Sequence, residues 1–162
     1  MNIMDFCSDN LDRVSLHHPI AVGEWVYASN GMVAIRVPRE LMAETGWPDR
    51  HTERVLTYEF TRADAYAGVF APLPPEGRCG KCDGTGLGIC GECGQAARCT
   101  QCRGLGHAHE DVIIPPAKFA GHLLALIATL PGAELQSPPD ARDPSAFRFD
   151  GGIGVIMPMR QD

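Results

Sequence analysis

Cys79-Gly80-Lys81-Cys82-Asp83-Gly84-Thr85-Gly86 and Cys99-Thr100-Gln101-Cys102-Arg103-Gly104-Leu105-Gly106 are two copies of one pattern, Cys-x-x-Cys-x-Gly-x-Gly. Two residues between cysteines let one tight turn present both sulfurs to a single tetrahedral ion, and two such turns complete four-coordination. The pairs are separated by 16 residues, inside the usual range for a four-cysteine zinc site. Cys79, Cys82, Cys99 and Cys102 are therefore the expected ligands of a Zn2+ ion.

The surrounding composition demands such an ion. Nine of the 18 glycines lie between Gly77 and Gly106, and the large aliphatic side chains there are Leu87, Ile89 and Leu105. So little apolar surface does not offset the entropy of ordering the segment. A structural zinc, which contributes ~10 to 16 kcal/mol in apparent terms, does. Residues 76–110 thus read as a small zinc-binding insert, and removing them leaves 127 residues, a sensible size for one domain.

A third pair, Cys90-Gly91-Glu92-Cys93, lacks the Gly-x-Gly tail. It could hold a second zinc with His107 and His109, replace one outer pair, act in redox chemistry, or stay unligated. The seventh cysteine, Cys7, reads as a small buried hydrophobe. His17, His18, His51 and His122 have no ligand-like context. Gly86-x-Gly88-x-x-Gly91 matches a dinucleotide fingerprint in form alone, because no strand precedes it and it overlaps the cysteine pairs.

Outward from the insert, Trp25 to Tyr27 and Met32 to Val37 read as strands about the Ser29-Asn30-Gly31 turn, with Pro38 ending the second. Val55 to Phe60 (VLTYEF) is a further β-rich run, and Ala71 to Gly77 is a proline-dense boundary. After the insert, Asp111 to Ile114 reads as a strand. Pro115-Pro116 starts a helix with Phe119, Leu123, Leu126, Ile127 and Leu130 on one face, and Pro131-Gly132 stops it. Gln136 to Pro144 is a loop, and Ala146 to Phe149 with Gly154 to Met159 forms a last hairpin about Asp150-Gly151-Gly152. The stretch from Asn2 to Leu16 has a poor helical period. The fold class is α+β.

The net charge of −6, with twelve arginines but two lysines, disfavours a monomer that holds DNA by phosphate neutralisation. From Arg78 to Gly106, the four cations Arg78, Lys81, Arg98 and Arg103 and the two acids Asp83 and Glu92 sum to zero once a zinc tetrathiolate adds its −2. No window approaches the ~18 to 20 apolar residues of a membrane span, and Met1 to Asp12 has no basic cluster of an export signal, so a cytoplasmic protein without membrane contact is expected.

The doubled Cys-x-x-Cys-x-Gly-x-Gly resembles the zinc-binding region of DnaJ-type chaperones over about 30 residues. In that family four repeats make two sites, and matching the two complete repeats here to its outer pair implies the same four ligands. His18-Pro19-Ile20 is not the His-Pro-Asp of a J-domain, so an ordinary co-chaperone is not expected.

Residues 1–75 and 111–162 are similar to one domain of the bacterial sliding clamp, the β subunit of the replicative polymerase. Three stretches carry this: Tyr27-Ala28-Ser29-Asn30-Gly31 with Ala34-Ile35-Arg36, Ile114-Pro115-Pro116-Ala117-Lys118, and Gly154-Val155-Ile156-Met157-Pro158-Met159-Arg160. The resemblance implies a single clamp-like domain split by the insert between its half-repeats. It also implies a partner-binding groove bordered by Met157, Pro158, Met159 and Arg160, with Met157 and Met159 on one face of an end strand. Asn30 replaces the clamp's Asp, and Gln161-Asp162 follow the tail.

The expected function is that of a non-enzymatic zinc-binding accessory protein of DNA replication or of a phage or mobile element, acting through protein or peptide contacts. A homo-oligomer is open to it, and DNA is an expected partner only of such an assembly. The alternative is a DnaJ-like module that binds polypeptides as a chaperone-type adaptor. No nucleophile, paired-carboxylate or open metal constellation points to an enzyme.

Overall fold

The computed structural model describes residues 2–41, 46, 49–65, 68–74, 77–89, 94–100, 102, 104, 106–108 and 111–160. Two short 3-10 segments, Ile3–Phe6 and Leu11–Leu16, open the chain, the first burying Ile3 and Phe6. Then follow β1 (Ile20–Val22), β2 (Trp25–Ser29) and β3 (Val33–Pro38), α1 (Arg50–Ala65), β4 (Phe70–Pro72), and four short strands, β5 (Gly77–Arg78), β6 (Leu87–Ile89), β7 (Ala96–Arg98) and β8 (His107–Ala108). β9 (Val112–Ile114), β10 (Ala117–Phe119), α2 (Gly121–Ala128), β11 (Glu134–Gln136), β12 (Ser145–Phe149) and β13 (Gly152–Ile156) complete it.

Seven strands form one antiparallel sheet in the order β1-β2-β3-β13-β12-β11-β4. Two three-stranded meanders, β1-β2-β3 and β11-β12-β13, meet through their last strands, with Ala34 opposite Val155 and Ile35 opposite Gly154. The sheet therefore has an internal two-fold arrangement, and β5 to β8 leave the chain between the two meanders.

Strand alternation decides what covers each face, because neighbouring side chains point to opposite sides. Val26, Ala28, Val33, Ile35, Val37, Phe147, Phe149 and Ile156 pack on one side with Phe119, Leu123, Leu124, Ile127 and Leu130. Tyr27, Ala34, Ala146 and Val155 pack on the other with Leu56, Phe60 and Ala63 of α1. The result is three layers, with α1 on one face and α2 on the other.

VLTYEF is helix and not strand. Asp49 caps α1 by accepting from the amides of His51 and Thr52, each at 2.9 Å. Thr52, Leu56, Phe60 and Ala63 then recur at helical spacing as its buried stripe. The residues that suggest a strand, Val55 and Tyr58, lie on its exposed side. Arg36 ties the helix down, pairing with Asp64 at 2.7 Å while its guanidinium lies 4.6 Å from the Trp25 ring centre.

Pro115-Pro116 does not start a helix but turns the β9-β10 hairpin, in which Ala117 faces Ile114. Phe119 accordingly belongs to β10, and α2 begins at Gly121. The last strand ends at Ile156, three residues before the expected Met159. Pro158 has no amide to give a ladder. Around it, Met157 donates to Met32 O at 2.8 Å and Met159 to Lys118 O at 2.7 Å. Alternation stops there, so the two methionines do not share a face: Met159 packs against the α2-side core, whereas Met157 is on the α1 side.

Candidate metal centre

The Sγ atoms of Cys79, Cys82, Cys99 and Cys102 all lie within 4.8 Å of one another, and all four residues are buried. Cys79 and Cys99 are 3.8 Å apart at sulfur, and Cys82 and Cys102 are 3.6 Å apart. A tetrahedron with metal–sulfur bonds of ~2.3 Å has edges of ~3.8 Å, so the spacing suits one tetrathiolate ion. These residues are positioned to hold a metal ion, and a site with four protein thiolates leaves no open coordination position for substrate.

Each half of the site is folded by the same backbone device. The amide of Gly86 donates to Cys82 Sγ and that of Gly106 to Cys102 Sγ, both at 3.3 Å. The halves also clasp each other reciprocally, with Cys79 N bonded to Gly106 O at 3.1 Å and Cys99 N to Gly86 O at 2.9 Å. Gly86 and Gly106 have φ of +73° and +80°, and a Cβ on either would stand 2.4 Å from a carbonyl oxygen of the opposite half, Gly104 O or Gly84 O. Glycine is required there on both grounds. Flanking strands obey the same symmetry, since β5 pairs with β8 and β6 with β7.

Burial pushes the Cys79 thiol up. Burial acts the same way on Cys82 and Cys102 and is the largest single influence on each. Hydrogen bonds together outweigh it, led by the Gly86 amide at Cys82 and the Gly106 amide at Cys102 and joined by neighbouring cysteines, so both thiols end below their ordinary value. Thiolate is the ligating form, and these amides support it before any ion arrives.

Arginines extend the repeat by one position, a feature the cysteine spacing alone misses. Arg78 precedes Cys79 and Arg98 precedes Cys99. Arg78 Nε donates to Asp83 O at 2.8 Å, and its side chain lies against Gly84 as that of Arg98 lies against Gly104. The signal was present as Arg-Cys-x-x-Cys-x-Gly-x-Gly.

No family model, curated protein or solved structure matches this chain. Cys90, Cys93 and His109 lie outside the described residues, and His107 is described only as a β8 backbone position opposite Arg78. Cys7 is half-buried against the α2-side core, and burial pushes its thiol up to about 11 against the opposing Ser29 backbone hydrogen bond. His17 bonds Asn10 O at 2.7 Å.

The four residues of the expected partner groove separate. Met157 lines a cavity of about 320 Å³ with Leu16, Met32, Val55, Leu56 and Val155, while Pro158 and Met159 are half-buried and Arg160 is exposed. This cavity is assembled from the Leu11–Leu16 segment, the β2-β3 turn and α1, so nothing local in the sequence announces it. Among the described residues no helix is long and apolar enough to cross a membrane.

Proposed function

We propose that the four-cysteine centre holds zinc as a structural ion, and that the protein is a non-enzymatic accessory factor that works through protein contacts. The buried tetrad with sulfur edges of 3.6 and 3.8 Å carries this reading. Closed thiolate sites serve folding and docking, and zinc fits such a set without redox demands. Protein purified without chelator should contain stoichiometric zinc, and cobalt substitution should give the visible spectrum of a tetrahedral thiolate ion. Absence of stoichiometric metal, or iron in its place, refutes the reading.

The body is read as a single sliding-clamp-like domain. Two meanders joined about a local two-fold, with the insert between them, support half-repeats of that kind. The partner site then reduces from the whole Met157 to Arg160 tail to Met157 and the cavity it lines. A peptide with a bulky apolar anchor, of the sort a replication or mobile-element partner carries, is the expected occupant. Backbone NMR shifts on titration should cluster at Met32, Val55 and Met157, and their absence at millimolar peptide removes the partner site while leaving the zinc reading intact.

The alternative polypeptide-binding role draws on one observation, that Leu87 and Ile89 of β6 are 57% and 81% exposed at alternate positions of the same strand. Suppression of a client's aggregation by the full chain, lost in a Leu87→Ser/Ile89→Ser variant that keeps its metal, would favour it.

A further inference from the structure

The metal module is fastened to the body at its exit. The backbone of β8 carries the chain out of the second cysteine turn and runs beside α2. Three residues beyond Ala108, the Asp111 carboxylate accepts from the Gly121 amide at 3.1 Å and pairs with Lys118 Nζ at 3.3 Å. The Gly121 amide, with smaller help from Lys118, holds Asp111 below the usual carboxylate range.

That carboxylate has a specific task. The first amides of a helix have no partner within it, and the residue before α2 is Ala120, whose side chain makes no capping bond. Asp111 supplies the missing acceptor from outside the helix. Directly behind it, the amides of Leu123 and Leu124 close on Ala120 O at 3.0 and 3.2 Å. The module also borders a cleft of about 650 Å³, to which it gives Arg98 and Cys102 and the α2 region gives His122, Leu126 and Thr129, while the N-terminal segment from Met4 to Arg13 and the β2-β3 turn line the rest.

We infer that metal occupancy is transmitted to α2, the module acting as a metal-dependent brace that holds Asp111 on the first turn of the helix and forms one wall of the cleft. The inference rests on reading the cysteine tetrad as a metal centre. When the ion leaves, the module loses what orders it, because it has almost no apolar core. β8 and Asp111 then lose their fixed position, the first turn of α2 loses its cap, and the cleft loses a wall. The sheet, with its own core on both faces, keeps its order.

Amide hydrogen exchange on the full chain, under reductant, with metal bound and after chelation, tests this. Chelation should speed exchange at Leu123 and Leu124 on the order of tenfold, the scale of a lost cap, while Ile35 in β3 keeps its rate. With metal retained, Asp111→Ala should reproduce the acceleration at α2, and Asp111→Asn, which keeps an acceptor oxygen, should largely restore protection. Unchanged exchange at Leu123 and Leu124 after chelation overturns the inference. So does equal acceleration of Ile35, which would make the ion a support of the whole fold, and so does a metal-loaded Asp111→Ala indistinguishable from the parent. A chain that takes up no metal at all fails at the earlier step, the metal reading itself.

Discussion

Gly86→Ala should weaken metal binding by a factor that follows from two features of the site. At φ of +73°, alanine meets the left-handed penalty of about 1 to 2 kcal/mol. The metal-free module has almost no core to keep it folded, so strain in the ordered form subtracts directly from binding. That alone is about 5- to 30-fold in affinity. The new Cβ also stands 2.4 Å from Gly104 O, below the 3.0 Å that real contacts observe, so the halves must part by about 0.6 Å beyond the strain already counted. Gly106→Ala meets the mirror contact with Gly84 O and should behave alike. Gly80→Ala is the control, because it has no neighbour within 4 Å and no left-handed φ. Competition for the ion against a chromophoric chelator, under reductant, reads all three. Affinity within twofold of the parent for Gly86→Ala, or an equal loss for Gly80→Ala, would refute the reciprocal clasp.

Phe60→Ala removes a fully buried ring that meets Tyr27 edge-on at 5.2 Å, and should destabilise the fold by about 3 to 5 kcal/mol in urea denaturation; a loss under about 1 kcal/mol would mean that α1 does not pack on the sheet as described. The Asp49 carboxyl is held below its usual range chiefly by the Thr52 amide and then by the Thr52 hydroxyl. Its folded pKa is depressed, so its support of α1 is present above the unfolded value of ~3.9 and is lost as pH falls through the lower folded value. Asp49→Asn, which caps without titrating, should flatten that acid limb of helix content; an unchanged limb would assign it to other groups.

Much of the centre was legible because ligand spacing is a local constraint. Cys79, Cys82, Cys99 and Cys102 declare themselves within two short windows, and the glycine pattern implies the turns between them. The β2-β3 and β12-β13 hairpins were legible for a similar reason, each being set by its own turn residues and alternation. What escaped depends on partners distant in the chain. β4 looked like a proline-rich boundary because Pro72 is tolerated only through its place on the sheet edge, and its partner β11 lies 62 residues on. α1 was hidden because its β-prone residues face solvent while the cap at Asp49 and the stripe at 52, 56, 60 and 63 settle the matter. The Met157 cavity needs three separated segments to exist at all.

The pairing of β5 with β8 sets Gly77 directly across from Ala108, about 5 Å away at Cα by ordinary antiparallel geometry. The two ends of the cysteine loop therefore enter and leave through one narrow gate. A stretch of chain with adjoining ends can be gained or shed in a single genetic event without displacing a strand on either side of it. In engineering terms the same gate is a graft point, where a short turn could bridge Gly77 to Ala108, or another closed metal loop could be spliced in, with the seven-stranded sheet as host.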